Sequence, residues 1–270
     1  MMMDMAHKSL WARAWMRRDV FWELLKRDIA GRYSGSFLGL LWSFFNPLLM
    51  LGVYTLAFRE FLGMRWPNMA AGADFSLMIF SGMIVHSLMA ECLIRGPTVI
   101  VSQSNLVKRV VFPLALLPCV TVASSLFNTM LSMVVLLCFV MLTQHGLHPS
   151  LLYLPFVYAP YVLLLCGICW LMASLGVFIR DIAQVAGVIS AVLMFLSPVF
   201  YPASSLHEPY RSWLHWNPLT LIIEQTRDVL LFGHMPDWHA LALYTVASLA
   251  VLLLGYGWFQ RTRDGFADVL

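Results

Sequence analysis

Few side chains in this 270-residue chain could do chemistry, and their spacing limits what that chemistry could be. His86 and Glu91 share one apolar run but are five apart, off a common helical face, whereas Glu91 and Arg95 are four apart and suit an ion pair at a span end. His145 and His148 sit in a loop with no further ligand nearby in sequence, and neither H-E-x-x-H nor G-x-S-x-G occurs. No metal site and no catalytic residue is therefore expected. Cys166 and Cys169 spell C-x-x-C inside "YVLLLCGICWLMA", a setting in which thiols pack as small hydrophobes; Cys92, Cys119 and Cys138 lie in or beside apolar runs too. No G-x-x-x-x-G-K-[ST] is present, so nucleotide hydrolysis by that route is not expected. A proton- or sodium-coupled carrier needs ionisable groups near the bilayer midplane, and His86 is nearly the only candidate. The driving force is expected to come from another subunit.

Two polar stretches remain. In "SQSNLVKRVVFP", Ser102 to Pro113, Asn105 is placed to cap a short helix carrying Leu106, Lys108 and Arg109, which Pro113 ends just after Phe112. A docking point for a motor and a loop held to the membrane surface by charge both fit. In "NPLTLIIEQTRDVLLFG", which opens on Asn217, Glu224 lies three residues before Arg227 and four before Asp228, giving a polar edge opposite Leu221, Ile222, Leu230 and Leu231. That edge suits a pathway or partner at an outer mouth, or a simple ion pair.

The elements that must position these groups follow from composition. Apolar residues make up 60% of the chain and charged ones only 11%, against roughly 25% charged in a soluble domain, so this is an all-α membrane protein. A net charge of +3 with no basic patch offers nothing to nucleic acid. Six segments have the roughly 20 apolar residues that a bilayer core demands, at about 37 to 58, 75 to 94, 114 to 142, 151 to 179, 182 to 201 and 239 to 259. Pro118, Asn128, Pro155 and Pro160 leave the third and fourth open to kinking, tilting or an interfacial position. The first run begins near Phe37 and is long enough to stay in the membrane, so no cleaved leader is expected. Thirteen of the 17 Lys and Arg residues fall on one side of this topology, which puts both termini in the cytoplasm; Arg59, Arg65, Arg211 and Arg227 fall on the other.

Ahead of the first span, Trp11, Trp15, Trp22, Leu25 and Ile29 fall within about 80° of one another on a helical wheel. A helix lying flat on the membrane fits, as does one packed on protein. The segment 201–238 is apolar yet broken by prolines, and it reads as a re-entrant hairpin before the last span. The whole chain is one permease domain: interface-helix region 1–35, spans one to five at 36–200, hairpin 201–238, span six 239–260 and tail 261–270.

"RDIAGRYSGSFLGLLWSFFNPLLMLGVYTLAF", "SNLVKRVVFP", "FIRDIAQVAGVISAVLMFLSPVFYP" and "NPLTLIIEQTRDVLLFG", in that order, resemble the type 2 ABC exporter permeases of bacterial surface polysaccharides, from about Glu23 to the end of the chain. The resemblance implies a homodimer of six-span subunits in the bacterial inner membrane, bound to two ATP-binding cassette subunits that hold ATP and magnesium. It implies export of a lipid-linked polysaccharide such as O-antigen between the two copies, with no cofactor in this chain. Asn105 to Phe112 then form the segment seated in the ATPase cleft, Arg180 and Asp181 the tight turn before span five, and Tyr201 to Trp238 the paired re-entrant helices. Export of teichoic acid, capsule or a small amphiphile would share these motifs, and an ATP-independent carrier or an intramembrane enzyme are the more distant readings.

Gly31, Gly35 and Gly39, spaced by four, would form a bare stripe in a continuous helix, or else mark a bend between a flat and a spanning helix. Arg27, Arg32 and Tyr33 stand at headgroup depth, where guanidinium groups could meet a lipid-pyrophosphate, or simply obey the charge rule for orientation. With spans one and five lining the path, as the resemblance implies, Phe45, Tyr54, Phe195 and Phe200 become candidates for stacking on passing sugar rings, against the ordinary role of packing.

Overall fold

The computed structural model describes residues 18–32, 34–35, 37–61, 75–104, 112–144, 146–214 and 216–270. Among these there are helices, turns and loops but no strand. Helix α1 covers 18–32, α2 Trp42–Tyr54, α3 Phe75–Arg95, α4 Leu116–Gln144, α5 Leu154–Phe178, α6 Ile182–Leu196, α7 Tyr210–Leu214, α8 Pro218–Arg227, α9 Trp238–Thr262 and α10 Phe266–Val269. With their terminal turns, α3, α4, α5 and α9 are long and apolar enough to cross a membrane, which makes this a multi-pass membrane protein. The remaining two expected spans correspond to shorter helices. α2 is prolonged by a wider turn over Thr55–Phe61, and α6 has 15 residues, about 22 Å of helix, against a hydrocarbon core of roughly 30 Å.

Prolines and glycines explain where the helices begin and stop. Pro198 excludes the helical conformation from the residue before it, and Ser197 accordingly sits at φ −99°, ψ 153°, ending α6. Pro118 and Pro155 fall in the first turns of α4 and α5, where the missing N–H has no helical acceptor to lose. Among the described residues only Pro47 and Pro160 interrupt a helix from within. At the entrance to α2 the backbone leaves the helix after residue 32, with Gly35 at φ +82° and Gly39 at φ +50°. Side chains avoid these left-handed conformations, so these glycines make a bend and not a continuous stripe, and a Cβ on Gly31, Gly35 or Gly39 would meet nothing within 4 Å.

α3 is the inner helix. It has 72% of its apolar window buried, against 22% for α4 and 17% for α9, so the latter two present most of their surface outward. Around α3 pack Leu51 of α2, Leu136 and Val140 of α4, Val157, Tyr161 and Leu165 of α5, and Leu219, Ile222 and Ile223 of α8. A second cluster, Ile100, Leu117, Ala173, Val177, Phe259 and Phe266, is joined by Leu24 of α1 and by Leu270. α1 and the end of the chain therefore share one end of the bundle, called proximal below; the segment 197–237 lies at the other, distal end. Two packing contacts are backbone on backbone. A Cβ on Gly255 would lie 2.2 Å from the Gly167 carbonyl oxygen, and one on Gly176 would lie 2.0 Å from that of Pro97.

Trp11 and Trp15 lie outside the described residues. In the described part of α1, Leu25 is buried while Trp22 is 49% exposed, so the helix packs on protein through one face and leaves a tryptophan outward. The α5–α9 contact generates a test. Gly255→Val should destabilise by about 1–3 kcal/mol or more through overpacking and lower the thermal midpoint in detergent, whereas Gly257→Val, with open space at its Cβ, should change it little.

Candidate functional site

At the proximal end, four charges from two helices meet on a serine of a third. Asp28 and Arg32 are one turn apart on α1, Glu91 and Arg95 one turn apart on α3, and Ser124 projects from α4. Arg95 Nη2 donates to both Asp28 oxygens, at 2.7 and 2.9 Å, and Arg32 Nη1 donates to Glu91 Oε1. Ser124 Oγ accepts from Arg32 Nη2 at 2.6 Å and from Arg95 Nη1 at 3.1 Å, and donates to Asp28 Oδ2 at 2.5 Å. The i,i+4 pair Glu91–Arg95 expected from spacing is present at 3.5 Å, inside this larger network. Its two positive and two negative charges cancel, and the side chains are only 16–30% exposed, so screening is weaker than for surface pairs. The network ties α1 to the inner helix.

Beside it lies a cavity of about 440 Å³ walled by Arg27, Arg32, Arg95, Gln103, Leu117 and Thr121 among others. Arg27 is exposed there and donates to Gln103 Oε1 at 3.3 Å. Of the expected phosphate-contacting groups, Arg27 and Arg32 thus line one hollow. Arg32 also spends its guanidinium on Glu91 and Ser124. Tyr33 lies outside the described residues.

The distal end is organised by one buried cation. Arg227, 4% exposed at the end of α8, donates from Nε and Nη2 to the Met78 carbonyl at 3.1 and 2.8 Å. It also donates from Nη1 to Pro198 at 2.7 Å and from Nη2 to Val199 at 2.8 Å. Those last two carbonyls belong to the turn after α6, where no helical N–H follows to satisfy them. Gly82 makes room, since a Cβ there would lie 2.9 Å from Arg227 Nη2. Asn217 joins the same elements: its Oδ1 caps α8 by accepting from Leu219 N–H at 2.9 Å, and its Nδ2 donates to Leu196 O at 3.1 Å and Ser197 Oγ at 2.9 Å. Glu224 is half-buried on α8. Burial pushes the Asp228 carboxyl above the usual range, opposed by His234, whose Nδ1 is 3.6 Å away. The polar edge read from the sequence therefore points Arg227 into the protein.

Three of the four expected aromatics come together. Ring centroids run Tyr54 to Phe58 at 6.4 Å, Phe58 to Phe200 at 6.2 Å and Phe200 to Phe195 at 6.1 Å, with Phe75 5.8 Å from Phe58. This ladder joins α2 to the end of α6, and Phe195 at its tip is 65% exposed. Phe45 stands apart, edge-on to Trp42 at 5.8 Å. Phe58 and Phe75 were missed because each sits at a helix end where periodicity gives no orientation.

A family model described as "ABC-2 type transporter" matches residues 19–231, a stretch that includes nearly all of α1, the inner helix, the ladder and Arg227. The chain belongs to the ABC-2 type transporter family. It is similar to the O-antigen export system permease protein RfbA of Myxococcus xanthus, 27% identical over 255 residues, covering 93% of this chain and 95% of that protein. An O-antigen export system permease protein RfbA of Klebsiella pneumoniae is 22% identical with the same coverage. The polysialic acid transport protein KpsM of Escherichia coli is 22% identical over 246 residues, 89% of this chain and 92% of that one.

In this ABC-2 family chain the expected coupling residues Asn105, Leu106, Lys108 and Arg109 lie outside the described residues. Phe112, at the exit of that loop, is half-buried against the second core cluster. Arg180 and Asp181 are exposed at a tight turn at the proximal end, held by Ile182 N–H to Ile179 O at 3.3 Å and Gln184 N–H to Asp181 O at 3.0 Å. His86 is buried, its Nε2–H donating to Ser190 O at 3.0 Å, so it joins α3 to α6. The contacts of Asp28 with Arg95 and Ser124 carried no sequence signal, because those partners lie 67 and 96 residues away.

Both ends yield tests. Arg227→Met strands the Pro198 and Val199 carbonyls at about 1–3 kcal/mol each, and should collapse the yield of folded protein or its thermal midpoint, with Glu224→Gln much milder. Asp28→Arg should destabilise by roughly 1.5–3 kcal/mol and expose α1 to protease, and combination with Arg95→Asp should restore protection.

Proposed function

We propose that this chain is the membrane-spanning subunit of an ATP-driven exporter that moves a lipid-linked polysaccharide of the O-antigen type across the bacterial inner membrane. What carries the reading is likeness over nearly the full length of both chains to permeases named for O-antigen export. Two copies form the path, and two ATP-binding cassette subunits holding ATP and magnesium supply the force. In this arrangement α2 and α6 are spans one and five, giving six in all, and both termini are cytoplasmic, in keeping with the concentration of Lys and Arg at the proximal end. The segment 201–238 is the re-entrant hairpin at the outer mouth; the burial of Leu219, Ile222, Ile223 and Arg227 supports this, because irregular backbone at membrane depth must be covered by protein.

The mechanism assigns a part to each group. The Arg27–Arg32 cavity receives the anionic headgroup of the carrier lipid, since guanidinium groups bind phosphate oxygens in pairs. The aromatic ladder offers flat apolar faces to sugar rings, which tolerate sliding because they grip no single hydroxyl. Asn105 to Phe112, with Arg180 and Asp181, receive the ATPase stroke. Force travels through α1, since the Asp28–Arg32–Glu91–Arg95 network joins it to α3. Likeness to the polysialic acid transport protein favours a second reading, export of an acidic capsule polymer by the same parts.

The deciding experiment reconstitutes the chain with its ATPase and a lipid-linked glycan in vesicles. Export should require ATP, and Lys108→Glu with Arg109→Glu should abolish it while hydrolysis and membrane insertion persist. Glycan delivered by this subunit alone, without nucleotide, would falsify the assignment. Transport of sialic acid polymer in preference to O-antigen would select the second reading.

A further inference from the structure

The chain ends in α10, a helix of four residues, Phe266–Val269. Isolated helices shorter than about 12–15 residues are marginal in water, so something other than its own propensity holds this one. Ala267, Asp268 and Val269 are exposed, whereas Phe266 is 0% exposed. Its ring stands edge-on to Phe259 of α9, with centroids 5.4 Å apart, and lies 5.8 Å from that of Phe178 at the end of α5. The tail thus doubles back after Thr262, whose hydroxyl meets that of Ser174 on α5 at 2.7 Å.

Phe266 enters a cluster from which two separate parts of the proximal surface begin. Ile100 leads into the segment 101–116 and Leu117 follows it; both are buried with Phe266, and Val99, Phe112 and Leu114 pack against the same group. α5 braces both stalks of that segment, through the backbone contact of Gly176 with Pro97 and the bond from Trp170 Nε1 to Ala115 O at 3.0 Å. Phe178 is the last residue of α5, two before Arg180, and leads straight into the Arg180–Asp181 turn. One ring therefore shares its packing with the stalks of the 101–116 segment and with the root of the 180–181 turn.

We propose that Phe266 is a positioning residue for coupling: it fixes the spacing between the 101–116 segment and the Arg180–Asp181 turn, so that force from the ATPase moves both together. This rests on the reading that those two elements receive the ATPase stroke. Two elements pushed by one partner pass on its displacement only if their roots do not slide past one another. Interiors are packed at crystal density, so a ring that fills the space between the roots allows no such slip, and the void left by its removal does. The exposed residues of α10 take no part, and the short helix serves to hold its one buried ring in place.

The test reconstitutes the full chain with its ATPase and a lipid-linked glycan in vesicles and measures ATP hydrolysed per glycan exported. Phe266→Ala should raise that ratio about fivefold to tenfold while hydrolysis per folded complex stays within about twofold of wild type. Phe266→Leu, which refills most of the volume, should restore the ratio, and Val269→Ala, on the exposed side of α10, should leave it unchanged. A residue that served stability alone would lower the yield of folded complex, and hydrolysis and export with it, at an unchanged ratio; that result would overturn the proposal. Should Phe266→Ala not fold, Phe178→Ala, which removes the ring's partner at the exposed rim of the cluster, must raise the ratio in the same way, and a wild-type ratio there overturns the proposal equally. Export that survives Lys108→Glu with Arg109→Glu would remove the coupling reading and this inference with it. Export abolished by that charge reversal, beside a wild-type ratio in Phe266→Ala, would remove this inference only.

Discussion

A carbonyl group inside a bilayer has no water to bond, and every break in a helix there must be repaired by some other donor. This chain breaks its helices at Ser197–Pro198, after α6, and repairs the break with the guanidinium of Arg227. Five N–H donors in a fixed fork let one side chain serve Met78, Pro198 and Val199 together, which a lysine ammonium with its different geometry could not reproduce. The cation is stabilised in return by the carbonyl oxygens and by Glu224 and Asp228 nearby. With that staple go the burial of α8 and the need for glycine at position 82.

The proximal end solves a different problem with similar chemistry. α1 is too exposed to be held by apolar burial alone, since Leu25 is its buried hydrophobe and Trp22 faces outward. Four mutually compensating charges and Ser124 supply a directional attachment to α3 and α4 instead. Because the two positive and two negative charges cancel, the attachment is neutral overall. The glycine bend at Gly35 and Gly39 then separates this docked helix from α2, so that the two need not move as one rod.

The aromatic ladder and the arginine-lined cavity share a feature: each is assembled from elements distant in sequence. Tyr54, Phe200 and Phe195 became candidates only because the family resemblance implies that spans one and five line the path. That they stack, and that Phe45 stands apart beside Trp42, depends on how α2 turns against α3 and α6. The edge of Glu224, Arg227 and Asp228 was visible as a helical spacing, yet the spacing could not say whether Arg227 faces water or protein. It faces protein because the carbonyls left by the α6 break lie on that side.

The amino-acid sequence by itself determined the local quantities. Length and hydropathy located the long apolar helices to within a few residues, since a bilayer imposes one thickness on any span. Prolines and glycines marked places where a helix could end or bend without deciding the outcome: Gly31, Gly35 and Gly39 suited a stripe as well as a bend, and the fifth apolar run was read to 201, past the Pro198 that ends α6. Tertiary structure alone decided which groups meet: Asp28 with Arg95 and Arg227 with Met78. A charge or a hydroxyl carries the same local signal whether it is bare or satisfied, and only the packing of distant helices supplies, or withholds, the partner.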